Sequence, residues 1–238
     1  MTGDAFSARL TIAAAAFVLL GAPLHASDGI GKAASVTTQV TGTIGASTAV
    51  PIARGDEVFQ NQVIVTDESG VGQIEFVDKT KLAIGPGSTM TLDTFVYNPN
   101  KTAEKVVIEL GKGSFRFITG KSPSKVYEIS TPTATLGLRG TALDIAIGAD
   151  GGMAVAMLAG EIEACSKINR ACQVHNLVGK FLRITPDGLF SVHDRWDETI
   201  MGGIEFAAAL PFTANQNVLR PAFKTTRRGT WSGHRSRP

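Results

Sequence analysis

Glu161 and Glu163 are the carboxylate pair whose spacing could serve acid–base chemistry in this 238-residue chain. On a strand they would share a face about 7 Å apart at Cα, a separation that does not exclude work on a glycosidic bond. Surface carboxylates on strands are usually just solvated, so a hydrated pair is expected; a wall-acting hydrolase is the rival, tested by Glu161→Gln or Glu163→Gln. Cys165 and Cys172, with His175 nearby, could hold a metal. Three ligands fall short of a tetrahedral set, however, and no second Cys/His pair completes it. Gly120-Lys121-Ser122 resembles the end of a phosphate-binding loop. Phe115 stands where the leading glycine is required and Pro123 where a helix should begin, so the segment reads as an exposed turn. G-x-S-x-G, H-E-x-x-H and G-x-G-x-x-G motifs do not occur. His25, His175, His193 and His234 are too few and too scattered for a triad or a metal site. No catalytic residue, metal or cofactor is expected.

Composition sets the setting for these residues. A net charge of +2 gives no electrostatic footprint for a nucleic-acid partner. Residues 1–26 read as a signal peptide: Arg9 and the amino terminus supply positive charge, residues 10–20 an apolar run, and Leu24-His25-Ala26 a cleavage site. That run is shorter than the ~20 apolar residues that span a bilayer. The expected location is therefore periplasmic or secreted. In an oxidising compartment the two cysteines are expected to pair as a disulfide around the polar loop 166–171, and closing about eight residues stabilises by roughly 2.5 kcal/mol.

The elements that must position any site read as strands from Val36 onward. Val106, Ile108 and Leu110 alternate with Val107 and Glu109, and Phe115 and Phe117 flank Arg116. Leu143, Ile145 and Ile147 alternate with Asp144 and Ala146; Met153, Val155 and Met157 alternate with alanines. A period of two sends one set to a core and the other outward. Gly148 to Gly152 predicts a hairpin connection, Asp78-Lys79-Thr80 another turn, and Gly111-Lys112-Gly113 a separator between two strands. The best helical stretch is Trp196 to Leu210, with Asp197 and Glu198 at its start and Pro211 ending it. After Lys224, Arg227, Arg228, Arg235 and Arg237 stand among Gly, Ser and Pro with no acid. This is expected to be a solvated tail, with weak contact to an anionic surface as the sharper alternative.

At Arg54-Gly55-Asp56-Glu57-Val58 the chain begins to resemble a known family. Thr66 to Gly70, Asp78-Lys79-Thr80-Lys81-Leu82 and Gly85-Pro86-Gly87-Ser88 follow in order. Gly111 to Phe115, Ser130 to Ala134, Leu138-Arg139-Gly140-Thr141-Ala142-Leu143-Asp144 and Gly160 to Glu163 complete the pattern. Over roughly residues 50–185 this is similar to the FecR domain, through its G-D-x-V, D-x-[ST]-x-L and G-P-x-S signatures. The resemblance implies a twisted, solenoid-like stack of β-sheet. The namesake regulators combine a cytoplasmic anti-sigma segment, a transmembrane helix and a periplasmic sensor that receives a signal from an outer-membrane transporter. Nine residues before the apolar run leave no room for the cytoplasmic part, and residues after 185 none for the transporter-contacting domain. The expected likeness is therefore to stand-alone secreted FecR-domain proteins.

The expected fold is all-β: many short antiparallel strands in a twisted solenoid-like or sandwich arrangement, with a short C-terminal helix. The expected order is leader 1–26, FecR-like domain 36–192, helix and extension 193–223, and basic disordered tail 224–238. Arg139, Gly140 and Thr141 are the candidate binding residues. Gly140 would permit a bulge, and Arg139 is expected to fork onto a carboxylate of a neighbouring strand, with a bound anion as the alternative. The expected role is a non-enzymatic envelope binding or scaffold module whose partner is an envelope protein or glycan. An accessory of FecR-type transmembrane signalling is the second reading.

Overall fold

The computed structural model describes residues 29–197 and 199–214. The expected leader and basic tail lie outside the described residues. The chain is all-β, in a large, mostly antiparallel open sheet of 15 strands. The N-terminal half holds β1 (Gly31–Thr37), β2 (Val40–Ile44), β3 (Val50–Pro51), β4 (Glu57–Val58), β5 (Gln62–Thr66), β6 (Val71–Phe76), β7 (Lys81–Ile84) and β8 (Thr89–Tyr97). Then come β9 (Ala103–Ile118), β10 (Tyr127–Ser130), β11 (Ala134–Ile147) and β12 (Met153–Ser166). The sheet ends with β13 (Cys172–His175), β14 (Phe181–Ile184) and β15 (Phe190–His193), followed by helices α1 (Phe206–Ala209) and α2 (Pro211–Ala214). Strand structure starts at Gly31, ahead of Val36, because β1 gains partners on β6 despite a weakly apolar sequence.

Three long strands give the sheet its shape. Residues 103–112 of β9 pair with β8, whereas residues 113–118 pair with β7 and β11. Gly111-Lys112-Gly113 is thus a corner within one strand rather than a separator between two. Gly113 adopts φ +112°, and a Cβ there would lie 2.1 Å from Ser88 Oγ, so only glycine fits. In β11 and β12 the register shifts between Arg139 and Ala142, where Gly140 and Gly160 take φ +59° and +82°. A Cβ on Gly160 would sit 2.2 Å from the Gly140 carbonyl oxygen. These corners fold the sheet around one core, where Phe76 stacks on Phe95 at 4.9 Å and Phe117 meets Tyr127 edge-on at 6.0 Å. Burying each such side chain is worth about 1.5–3 kcal/mol. The one parallel pairing among the described residues joins β10 to β9.

The other side of β7, β9, β11, β12 and β14 carries the opposite alternation set. Register places Gln73, Ala83, Arg116, Asp144, Ala156, Phe181 and His193 in a single row across seven strands. Residues 199–214 lie over this row as a strap. The continuous helix from Trp196 to Leu210 is not formed; turns occupy 199–203, and two four-residue helices follow. Gly202 and Gly203 adopt φ +61° and +89°, outside the right-handed helical region. Pro211 opens α2 instead of only ending a helix, since a first-turn residue needs no backbone donor.

Candidate functional site

The segment Arg139-Gly140-Thr141 forms the β11 corner. Thr141 is buried; its hydroxyl donates to the Glu161 carbonyl at 2.8 Å and accepts from Arg139 N–H at 2.9 Å. Thr119 Oγ1 accepts from Thr141 N–H at 3.0 Å, tying β9 to the same corner. Gly140 provides the expected bulge. Arg139 does not form the expected forked internal clasp. Its Nη1 lies 3.5 Å from Glu161 Oε1, and the two side chains remain 51% and 33% exposed. Such an exposed single contact contributes about 0–1 kcal/mol. The bulge turns Arg139 outward, so its guanidinium is a surface group and Thr141 holds the corner.

Other residues of the FecR-like pattern are likewise absorbed into buried hydrogen bonding. Asp78 is buried in the β6–β7 turn, where its Oδ2 accepts from Thr80 Oγ1 at 3.0 Å, Ser122 Oγ at 3.0 Å and Tyr127 OH at 2.6 Å. Its Oδ1 accepts from Thr80 N–H at 3.0 Å. Burial, reinforced by the hydrogen bond to Asp78, raises the Tyr127 phenol above its ordinary range. Tyr97 is raised too, chiefly by burial and then by the Asp78 charge, and its hydroxyl lacks a partner. Ser122, expected in an exposed turn, is buried because Asp78 captures its hydroxyl. A second cluster surrounds Gly85-Pro86-Gly87: Ser88 Oγ accepts from Ser114 N–H at 3.0 Å, and Thr66 Oγ1 donates to the Gly85 carbonyl at 2.7 Å.

The forked clasp expected at Arg139 exists between Arg116 on β9 and Asp144 on β11. Arg116 Nε and Nη2 donate to Asp144 Oδ1 and Oδ2 at 2.5 and 2.7 Å, with 13% and 0% of the two side chains exposed. Thr213 of α2 donates to Asp144 Oδ2, and Phe212 lies 5.9 Å from the guanidinium carbon while packing on Ala83 and Val71. Ile200, Met201, Ala209 and Leu210 cover Ala146, Ala154 and Ala156. Trp196, Phe206 and Phe181 complete the strap's attachment, with ring centroids 5.6–6.0 Å apart. Arg116 and Asp144 are each a lone charge in an otherwise apolar run, and Asp144 closes the FecR-like stretch from Leu138, but nothing in the sequence joins them. Their pairing depended on strand register, which the sequence did not fix.

The remaining candidates separate. Cys165 and Cys172 form the expected disulfide across the β12–β13 ladder. His175 is buried opposite Ile162, its Nε2 unpartnered, and burial lowers its pKa below the ordinary 6.5. Glu161 contacts Arg139 and Asn176, whereas Glu163 is exposed. On edge strand β15, Ser191 Oγ lies 2.9 Å from His193 Nε2. Asp197 is 3.7 Å from His193 Nδ1, too long for a hydrogen bond, and its carboxylate instead accepts from Thr199. That trio therefore lacks the carboxylate that would orient the imidazole of a nucleophilic triad. No group of three metal-ligating side chains occurs among the described residues. An open groove of about 270 Å³ lies between β8, β9 and β10, where Lys167 donates to Ser130 Oγ and the Thr131 carbonyl.

Asp78, Thr80, Ser88, Ser114 and Thr141 are thus engaged inside the β fold, whereas Arg139 and Glu163 lie at its surface. Residues 62–163 match the family model described as FecR protein. No curated protein sequence matches the chain. Two crystal structures of a candidate anti-sigma factor from Parabacteroides distasonis ATCC 8503 align with 16% and 17% identity and a TM-score of 0.44 each. Each alignment covers 57% of this chain and 61% of the other, so the chain spans about three fifths of those relatives.

Proposed function

We propose that this chain is a non-enzymatic FecR-type regulatory module of the bacterial cell envelope, exported by its leader and acting by binding another envelope protein. The observation that carries this reading is the fate of the family's signature residues. Asp78, Thr80, Ser88, Ser114 and Thr141 are engaged in buried hydrogen bonds, and Gly113 and Gly140 turn corners. The family pattern thus supports a scaffold, and recognition falls to the sheet faces around it. The FecR match also favours a place in a signalling system over a purely architectural role.

Cross-linking the mature protein in intact envelopes, followed by affinity capture and mass spectrometry, tests the proposal. Enrichment of one transporter or regulator is expected. Recovery of glycan alone, or of abundant wall proteins at background level, would overturn the regulatory reading.

A further inference from the structure

The strap is the one segment among the described residues that crosses a sheet face without joining the sheet. Its apolar side chains form small clusters of their own, separate from the main core. Both helices have four residues, far below the length at which a helix holds itself together, and α1 has no side-chain cap at its start. The turn leading into them carries Gly202 and Gly203, both left-handed with open space around them.

The backbone ladder of the face beneath makes no use of the strap. Asp144 keeps both Arg116 hydrogen bonds if Thr213 leaves, and the floor of Ala83, Ala146, Ala154 and Ala156 presents only methyl groups. Removing the cover also rehydrates an ion pair whose burial is costly. Two contacts give the face selectivity: a slot by Ala83 and Arg116 that takes a phenyl ring, and a carboxylate oxygen that takes the next residue's hydroxyl.

We propose that this face is a peptide-docking groove, which residues 199–214 occupy as a displaceable internal ligand. The outside occupant is a protein segment carrying an aromatic residue followed directly by Thr or Ser. This inference rests on the binding-module reading and adds the surface to it. Opening of the strap sets access, because a groove that is open only a small fraction of the time shows an affinity reduced by that fraction.

Hydrogen exchange on the full chain provides the first test. The amides of Ala209, Leu210, Thr213 and Ala214, bonded within the strap, exchange faster than those of Leu143 and Ile145 in β11. In Phe212→Ala the strap amides exchange about 100-fold faster still, as loss of a buried phenyl ring implies. A fluorescent peptide of sequence Glu-Phe-Ala-Ala-Ala-Leu-Pro-Phe-Thr-Ala then binds Phe212→Ala saturably and the unaltered chain at least about tenfold more weakly. The same peptide with its Phe-Thr pair replaced by Ala-Val does not bind. Thr213→Val, a milder change, serves if Phe212→Ala does not fold. Strap and β11 amides exchanging together would overturn the proposal. So would failure of the peptide to bind a variant with an open strap; if envelope capture still returned a partner, docking would lie elsewhere and the binding-module reading would stand. Concentration-dependent dimers that exchange straps would assign the groove to a second copy and refute an outside partner.

Discussion

Arg116→Met is the substitution that best separates the roles assigned to the outer face. The change keeps most of the side chain's volume and removes both donors from Asp144, a carboxylate with no exposed surface. Thr213 then remains as its hydrogen-bonding side chain, one neutral hydroxyl for a buried charge. Removing one partner of a buried ion pair costs about 3–5 kcal/mol, because the other charge is left without compensation. For a domain of this size each kcal/mol moves the melting midpoint by about 2–4 °C, so a fall near 10 °C is expected. Arg116→Met combined with Asp144→Leu removes both charges and leaves apolar side chains on an apolar face. The double variant is expected within about 1 kcal/mol of the unaltered protein, since hydrophobic replacement of a whole buried pair is often neutral or better. Urea unfolding followed by tryptophan fluorescence and circular dichroism measures both. A single variant within about 1 kcal/mol of the parent, or a double variant as unstable as the single, would refute the assignment of the pair as a desolvated clasp.

Two further outcomes follow from the β12–β13–β14 end of the sheet. Cys165→Ser with Cys172→Ser is expected to lower stability by about 2.5 kcal/mol through the freed loop, and no change by urea titration would contradict this. His175 is neutral when buried and its folded pKa is depressed, so its contribution is complete above the unfolded value near 6.5 and is lost progressively as pH falls below it. Unfolding between pH 8 and pH 5 should show this decline, and His175→Gln should flatten it.

Much of the fold was readable because alternation in β9, β11 and β12 is strong and their outward residues are few. The Gly148–Gly152 connection followed from local turn chemistry, and the disulfide from two cysteines around a short polar loop together with the expected export. What escaped detection was non-local. Arg139 stood beside a bulge glycine and invited a buried pairing, yet the bulge rotates it to the surface; the true clasp joins Arg116 and Asp144, 28 residues apart. Gly111-Lys112-Gly113 has the composition of a turn, and only its pairing with β8 on one side and β11 on the other shows a corner. The strap was equally hidden, because Phe212 and Thr213 acquire meaning only against alanines and a carboxylate contributed by distant strands.

The shared corners also bear on how fast the protein matures. β1 meets β6 with Gly31 opposite Phe76, β7 meets β9 with Lys81 opposite Ile118, and Thr213 reaches Asp144 across 69 residues. Contacts so distant along the chain must close long loops before they return any stabilisation, which places folding in the millisecond-to-second range rather than microseconds. Because β9 pairs with β8 along one end and with β7 and β11 along the other, the two ends of the sheet are coupled through one continuous strand.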